Sequence, residues 1–555
     1  MSPTVYEDAA KEKVMVAHIG LAFENWGLTV SNTPAFTFVP TTVYGLQSLI
    51  QWARDSDKRV RAAGHRHSWT SLFSEDNEVF VSMLDLKTAT NVPDPSSILP
   101  DNLSNLANEF KTIELQDVTG NTDGKALVRI GAAVTNEELR RWSVRGDAWA
   151  LSLNTIIVEI TAGGANAPLC HGAGIRSKTI SDLVRKIEYV DANGIHRSIE
   201  DAAQLRAAAG SLGLLGIVTH ITLEMDTMTY AQLKPLKQDV NLAIPPPTGY
   251  TVPQAIRKSY SPARLEAARL AFIKKAEESH YSEWFWFPYQ QQAYINCWDT
   301  TQDSTGAIDY PTYPDTFLQW LQGWLGGVAN DSLLFRALPG HWQAQILASL
   351  AMLALPTQEA KTYLPDGLHF RRGVQNMRVR DMELQIPIPA RADDATKADW
   401  GVVQKAWWDA IQAVYEDPTA PMRIALEMRI TGASDMIMAA QTNNSFGTAS
   451  IEILTTMPAV AEDVWEPFAQ KITDLWTSYQ ANGQLLNVRP HWAKEWDGYT
   501  VQGQSWRQRL KTVSYKDQIP EFLAVLGEIG EEQGFTVEDL QKRFSNPLLD
   551  EIFFD

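Results

Sequence analysis

The chain has 555 residues, 45% of them hydrophobic and 21% charged, which is the balance of a globular protein and too much chain for one hydrophobic core. With 66 acidic against 48 basic side chains the formal charge is −18, which repels phosphate backbones and anionic lipid and so excludes nucleic acid as a partner. Cys170 and Cys297 stand far apart in sequence, which argues against a disulfide framework or a metal cluster and suits a reducing compartment.

At the N-terminus, "MSPTVYEDAAKEKVMVAHIGLAF" carries an apolar stretch after Lys11 and Lys13, but Glu7, Asp8 and Glu12 spoil a secretory leader. The segment is expected to fold and the protein to be cytoplasmic or otherwise intracellular. Next, "FTFVP", "VYGLQSLIQWARDSDK" and "RVRAAG" read as strand, helix and strand, with "GHRHS" at the exit. After "VFVSMLDLK" a polar, proline-bearing excursion over 88–112 is expected as an insertion or flexible loop. The strand "ALVRIGAAV" leads into the helix "TNEELRRWSVRG", where Thr135 and Glu138 form a capping box.

Residues 155–178 are glycine-rich; "TISDLVRKIEYVDANGIHRSI" then gives helix, strand and an Asn-Gly hairpin turn, and "LRAAAGSLGLLGIVTHITLEM" gives helix, glycine turn and strand. No GxGxxG lies between a strand and a helix and there is no Walker loop, so a Rossmann dinucleotide site is not expected. The proline-rich "LAIPPPTGYTVPQ" reads as a linker into a second domain. There "YSEWFWFPYQ", "MRVRDMELQIPIP", "IALEMRITGASD" and "ASIEILTTMP" alternate like antiparallel strands, with helices between. The uncharged run "ALPGHWQAQILASLAMLALPTQ" is interrupted by Pro339, Gly340 and His341, so a core or interfacial helix is expected rather than a membrane span.

Two histidines in "RAAGHRHSWT" read, on their own, as a solvated turn in which Gly64 takes a positive φ. In order along the chain, however, "FENWG", "GHRHS", "CHGAG", "SLGLLGIVT", "WFWFP", "EMR" and "RPHWAK" together resemble flavin-dependent oxidases of the vanillyl-alcohol oxidase superfamily. The branch with alditol, arabinonolactone and gulonolactone oxidases is the most similar. The resemblance implies an α+β, two-domain FAD-linked oxidase fold. Its parts would be a PCMH-type FAD-binding domain of two small α/β subdomains over 1–228, a substrate domain with a large antiparallel sheet covered by helices over 229–488, and a segment over 489–555 returning to the flavin. It also implies oxidation of an alcohol carbon of a polyol, sugar or aldonolactone by hydride transfer to FAD, with O₂ reduced to H₂O₂. The alternatives are a bulkier alcohol, or a dehydrogenase with poor O₂ reactivity.

By the same resemblance the flavin's 8α-methyl bonds His67 rather than His65, while Gly64, His65, Arg66 and Ser68 pass the pyrophosphate. Thr161, Gly163, Gly164, His171, Gly172, Ala173 and Gly174 thread beside the flavin, with Ile217 of the "GLLGIVT" turn also on the cofactor. Cys170 stands where relatives often carry threonine, and packs.

Alcohol oxidation needs a group to take the hydroxyl proton and a cation to hold developing alkoxide charge. Glu427 and Arg429 share a strand face by their spacing, and "RPHWAK" brings Lys494 and His491; these four are the candidate catalytic residues. The plain alternative for an E-x-R pair is a surface ion pair. Glu452 stands where alditol-oxidising relatives have a histidine, and either shares in proton handling or faces solvent. The aromatic run Trp284–Phe287 reads as sheet packing, with one ring left to wall a substrate pocket. No metal is expected.

Overall fold

The computed structural model describes residues 3–90, 107–116, 124–310, 321, 323, 325–328, 332–369, 378–457 and 459–555. A first, small sheet runs in the order Ala17–Ile19, Phe36–Phe38, Val79–Ser82, Val60–Ala63, the last three parallel. Helix Val43–Asp55 makes the crossover between two of them. It starts where the Thr42 hydroxyl accepts the Gly45 amide, and it buries Leu46, Leu49, Ile50 and Ala53, one stripe at helical spacing.

A second, antiparallel sheet contains Val184–Val190, Ile217–Thr227 and Lys125–Gly131 at its centre. Helix Asn136–Gly146 begins with the capping box on Thr135 and Glu138. The helix expected at "TISDL" is a single tight turn, Ile180–Leu183, because the strand claims the chain directly after it. Residues 91–106 of the expected excursion lie outside the described residues; on its flanks are a helix at Leu86–Thr90 and a helical turn at Glu109–Lys111.

The third sheet has nine strands. Its order is Ala360–Tyr363, Tyr230–Leu233, Gln292–Thr301, Tyr281–Trp286, Leu426–Thr431, Thr448–Thr456, Val379–Pro387, Arg489–Pro490, with Leu236–Asp239 also paired to Gln292–Thr301. Alternation splits it into two faces. One buries Trp284, Trp286, Met428, Ile451, Ile453 and Leu384 with Trp407, Trp408 and Ile411 of helix Trp400–Glu416, and with Phe468 and Ile472 of helix Glu462–Thr477. The other faces a cavity.

The stretch read as a linker is no linker. The chain joins the third sheet before it, at Tyr230–Leu233, and the carbonyls of Ile244 and Pro245 accept Trp408 Nε1 (2.7 Å) and Gln404 Nε2 (2.6 Å). Prolines hold that backbone extended, which leaves its carbonyls for helix side chains to satisfy. The uncharged run forms helix Gly340–Ala354, and no helix among the described residues is long and apolar enough to cross a membrane. Helices Gln518–Gln533 and Val537–Phe544 pack against the first two sheets, where Tyr189 Oη donates to Gln533 (2.7 Å) and Arg61 to the Phe544 carbonyl (2.7 Å).

Candidate active site

All three sheets meet at a cavity of about 480 Å³, lined by both glycine-rich stretches, the free face of the nine-stranded sheet and "RPHWAK". The first wall is the turn after strand Val60–Ala63. Its positive φ falls on Arg66 (59°) and not on Gly64, contrary to the expectation for a solvated turn. Gly64 is required for another reason: a Cβ there would collide with the side chain of Thr161, where the second glycine-rich stretch crosses.

The Arg66 guanidinium packs 4.7 Å from the Phe23 ring and 5.0 Å from that of Phe80, while its Nε is buried without a partner at the cavity wall. The turn is a cradle for negative charge, because the amides of Gly64, Arg66, His67 and Ser68 donate to nothing among the described residues. His67 stacks on Trp26 (4.6 Å between centroids), with the His65 ring 6.4 Å away at an angle. Burial holds the His67 imidazole well below its ordinary pKa, so it is neutral, and its Nδ1 is buried without a partner. An orphaned neutral imidazole nitrogen beside a row of open amides, in a cavity of this size, fits FAD held through the flavin and its pyrophosphate.

The second stretch is built differently. Thr161 caps the short helix Ala162–Asn166 by accepting the Gly164 amide (3.2 Å), and the Gly163 amide donates to Ala132 (3.0 Å). At Gly174 φ is 108°, its amide donates to Ile430 (2.5 Å), and a Cβ would strike the His280 carbonyl. These three amides are committed within the protein, and small residues here serve close approach of backbone. Gly172 and Ile217 line the cavity while Ala173 is buried beside it. Cys170 packs with Leu153, Ala165 and Ile180, and burial pushes its thiol up to about 12, so it is inert. His171 belongs to the polar cluster opposite. Its Nδ1 lies 2.8 Å from the Gly172 carbonyl, and its Nε2 lies 2.7 Å from Glu383 Oε1 and 3.2 Å from Gln385 Nε2.

That cluster follows from strand register. Across the sheet Glu283, Arg429, Ser450 and Gln385 are successive neighbours; one row on stand Phe285, Glu427, Glu452 and Glu383. Arg429 donates to Glu283 (2.8 Å), pairs with Glu427 and lies 3.4 Å from Glu452. Lys494 Nζ reaches Glu452 (2.6 Å), Asp381 and Glu383 (3.7 Å). Glu452 is therefore inside the site and not in solvent. The Glu427–Arg429 pair is buried, not a surface ion pair.

Five carboxylates face two fixed cations here among the described residues. Burial and the Glu452 carboxylate push the Asp381 carboxyl well above the usual range, against the pull of Lys494 beside it. Burial works against Glu383 as well, yet the His171 imidazole beside it holds its carboxyl well below that range. Lys494 is buried, but Asp381 and Glu452 raise its pKa and keep it charged. Burial pushes His491 down to about 4, and its Nδ1 accepts the Ala493 amide (3.1 Å), so the neutral ring carries its proton on Nε2.

The C-terminal motif joins the two walls. Arg489 and Pro490 pair with Gln385 and Leu384, the Ala493 carbonyl accepts the Trp69 amide (2.8 Å), and the Lys494 carbonyl accepts the Thr70 hydroxyl. Glu427, Arg429, Lys494 and His491 thus line one cavity with His67. Sequence reasoning missed Glu283, Asp381, Glu383 and Gln385. The one signal of the last three is their alternation with Met382, Leu384 and Ile386.

Comparison with known proteins adds lineage. An L-gulonolactone oxidase from Bos taurus is 21% identical over 86% of this chain and 89% of its own. An L-gulono-1,4-lactone dehydrogenase from Mycobacterium tuberculosis is 26% identical over 36% of this chain. The chain spans only 48% and 40% of the lengths of its Neurospora crassa and mycobacterial relatives. Among solved structures a solvent-stable cholesterol oxidase superposes with a TM-score of 0.68 at 18% identity, covering 100% of both chains, a likeness of fold alone. The D-arabinono-1,4-lactone oxidase family model matches residues 252–542, more than half of the sequence, and the chain belongs to that family.

Proposed function

We propose that the protein is an FAD-dependent oxidoreductase that oxidises an alcohol carbon of a small hydroxylated molecule. Polyols, sugars and aldonolactones are the class that its relatives' names indicate. The observation that carries this reading is one cavity holding both an orphaned His67 Nδ1 beside open amides and a buried ladder of Glu427, Arg429, Glu452 and Lys494. Bound FAD supplies a hydride acceptor, and O₂ as final acceptor would leave H₂O₂. His67 tethers the flavin covalently, and the amides of Gly64, Arg66, His67 and Ser68 receive the pyrophosphate.

Around the substrate, the chain's own groups handle the proton and the charge. Glu427 takes the hydroxyl proton. Arg429 and Lys494 hold the oxygen as charge develops on it, and the Nε2–H of His491 donates to the same oxygen. Glu452 lies between the two cations and fixes both. The reading carries a division into a cofactor domain over 1–228, a substrate domain over 229–488 and a closing segment over 489–555, supported by the grouping of the sheets. The test is the colour and flavin content of purified protein, then anaerobic mixing with alcohols and a peroxide assay in air. Protein that takes up no FAD overturns the reading, and flavin reduced by substrate but slow to reoxidise in air would make it a dehydrogenase.

A further inference from the structure

A second chamber of about 260 Å³ opens off the first, and the two share Tyr281, Phe285, Phe287, Ala351, Leu355 and Ile424. Its position follows from the same strand register that builds the polar ladder. Two residues along each strand from Glu283, Glu427 and Glu452, on the same face, stand Phe285, Ala425 and Leu454. Phe287 continues the first of these rows. Within about 7 Å along the strands, the face turns from carboxylates to rings and aliphatic carbon. Helix Gly340–Ala354 closes the chamber from the other side with Leu347, Leu350 and Ala354.

The charged groups in this wall are already occupied. Asp366 is paired with Arg140 (2.5 Å), Glu283 with Arg429 (2.8 Å), and Arg423 donates to the carbonyls of Ala420 (3.0 Å) and Ala459 (3.0 Å) as well as to Gln343. A polyol or sugar lactone extending into this space would bring several hydroxyls to a wall whose free polar groups are few, His369 Nδ1 among them, and would leave most of those hydroxyls unsatisfied. An apolar body would meet rings and methyl groups that take its surface out of water.

We infer that the substrate is a secondary alcohol on a bulky apolar body, a fused alicyclic ring or a long chain, with its carbinol at the Glu427–Arg429–Lys494 ladder and its body in the chamber walled by Phe285, Phe287 and Leu355. The inference rests on the proposed reaction for its chemistry and parts from the relatives' names over the substrate's body. The carbinol C–H breaks with its electron pair passing as hydride to FAD, the hydroxyl proton goes to Glu427, and the alcohol becomes a ketone. FAD held in the cradle at His67 would supply the acceptor for that pair, with O₂ as the final oxidant.

The experiment uses the FAD-loaded protein with four alcohols: a decahydronaphthol, a long-chain secondary alcohol, xylitol and a hexonolactone. The decahydronaphthalene ketone, which cannot be oxidised at that carbon, serves as a binding probe by thermal shift. The expected result is that the ketone raises the melting midpoint, and that one apolar alcohol reduces the flavin with a kcat/KM at least tenfold above that of xylitol and the lactone. Ala351→Trp, which fills the junction, should lower kcat/KM for that alcohol about tenfold through KM and leave the flavin spectrum unchanged. Ala354→Trp fills the far end and should act on the longer or larger alcohol alone. Xylitol or the lactone outrunning both apolar alcohols, or both tryptophan variants leaving every KM unmoved, overturns the inference. Ketone binding without flavin reduction by any alcohol sustains the chamber and overturns the reaction.

Discussion

His67 and His65 stand two residues apart on one turn, yet only His67 combines a stacked ring, an orphaned Nδ1 and a neutral imidazole facing the cavity. His67→Ala should leave protein that binds FAD but releases it on acid precipitation, whereas His65→Ala should keep its colour in the precipitate; yellow denatured His67→Ala protein would move the link elsewhere. Across the cavity, Arg429→Leu and Lys494→Met should each slow anaerobic flavin reduction about a hundredfold, as loss of one oxyanion donor does, with little change in flavin content. Near-normal reduction in both would make these cations structural partners of their carboxylates. His491 gives a pH signature. Its pKa is about 4 in the folded chain against an ordinary 6.5, so between those values the unfolded chain binds a proton that the folded one refuses. Its contribution to stability is complete above pH 6.5 and is lost as pH falls towards 4, and His491→Asn should flatten the fall of the melting midpoint across that window. The four candidate catalytic residues were legible because short motifs name them. The fate of the Arg66 guanidinium was not, since Phe23 and Phe80 come from different strands and only the folded sheet brings them to it.

Elements were legible where one periodicity ruled. Helix Val43–Asp55 and the strands of the nine-stranded sheet follow from apolar spacing, but the alternation that reveals strand Val379–Pro387 gives its polar face the same pattern whether that face meets water or a buried cavity. Asp381 and Glu383 therefore stayed hidden until the strand acquired neighbours. The same limit applies between elements. Helix Asn136–Gly146 looks like a surface helix in sequence, yet Arg140 is buried and pairs with Glu137 on its own helix and with Asp366 (2.5 Å) of helix Leu364–Leu368 beside the third sheet. Asp366→Leu should cost about 3 kcal/mol, as removal of one member of a buried pair typically does, and Arg140→Met in the same chain should recover part of it because no buried guanidinium is left short of one of its two carboxylates. Additive losses in the two single variants and the double variant, measured by thermal unfolding, would show that the two helices are not coupled through this pair.

At the scale of the whole molecule, the site exists because the segment after strand Arg489–Pro490 returns to the loop that follows the first sheet and the C-terminal helices pack on that sheet, and one side chain gathers that return. Arg61, on strand Val60–Ala63, is fully buried and donates to the carbonyls of Leu72 (2.6 Å), Leu212 (2.8 Å) and Phe544 (2.7 Å), which belong to the His67 loop, the glycine turn before Ile217 and the C-terminal helices. Burial pushes its pKa down to about 10, which still leaves it charged at neutral pH. Asn546 adds a second tie to the same loop, donating to the carbonyls of Ser71 (2.9 Å) and Phe73 (3.0 Å). No motif announces either residue, because each acts on main-chain oxygens, which every sequence possesses. Arg61→Met keeps much of the side-chain volume but strands three buried carbonyls, for a loss of about 3 kcal/mol or more. The loss should not fall on stability alone. Because the Leu72 and Leu212 carbonyls flank the turns that carry His67 and Ile217, the variant should also incorporate flavin more slowly when apoprotein is mixed with FAD, while Asn546→Ala, which frees only the loop and the C-terminus, should show a smaller delay. A stable Arg61→Met protein that loads FAD at the normal rate would mean that the return of the chain shapes the cavity without help from this residue.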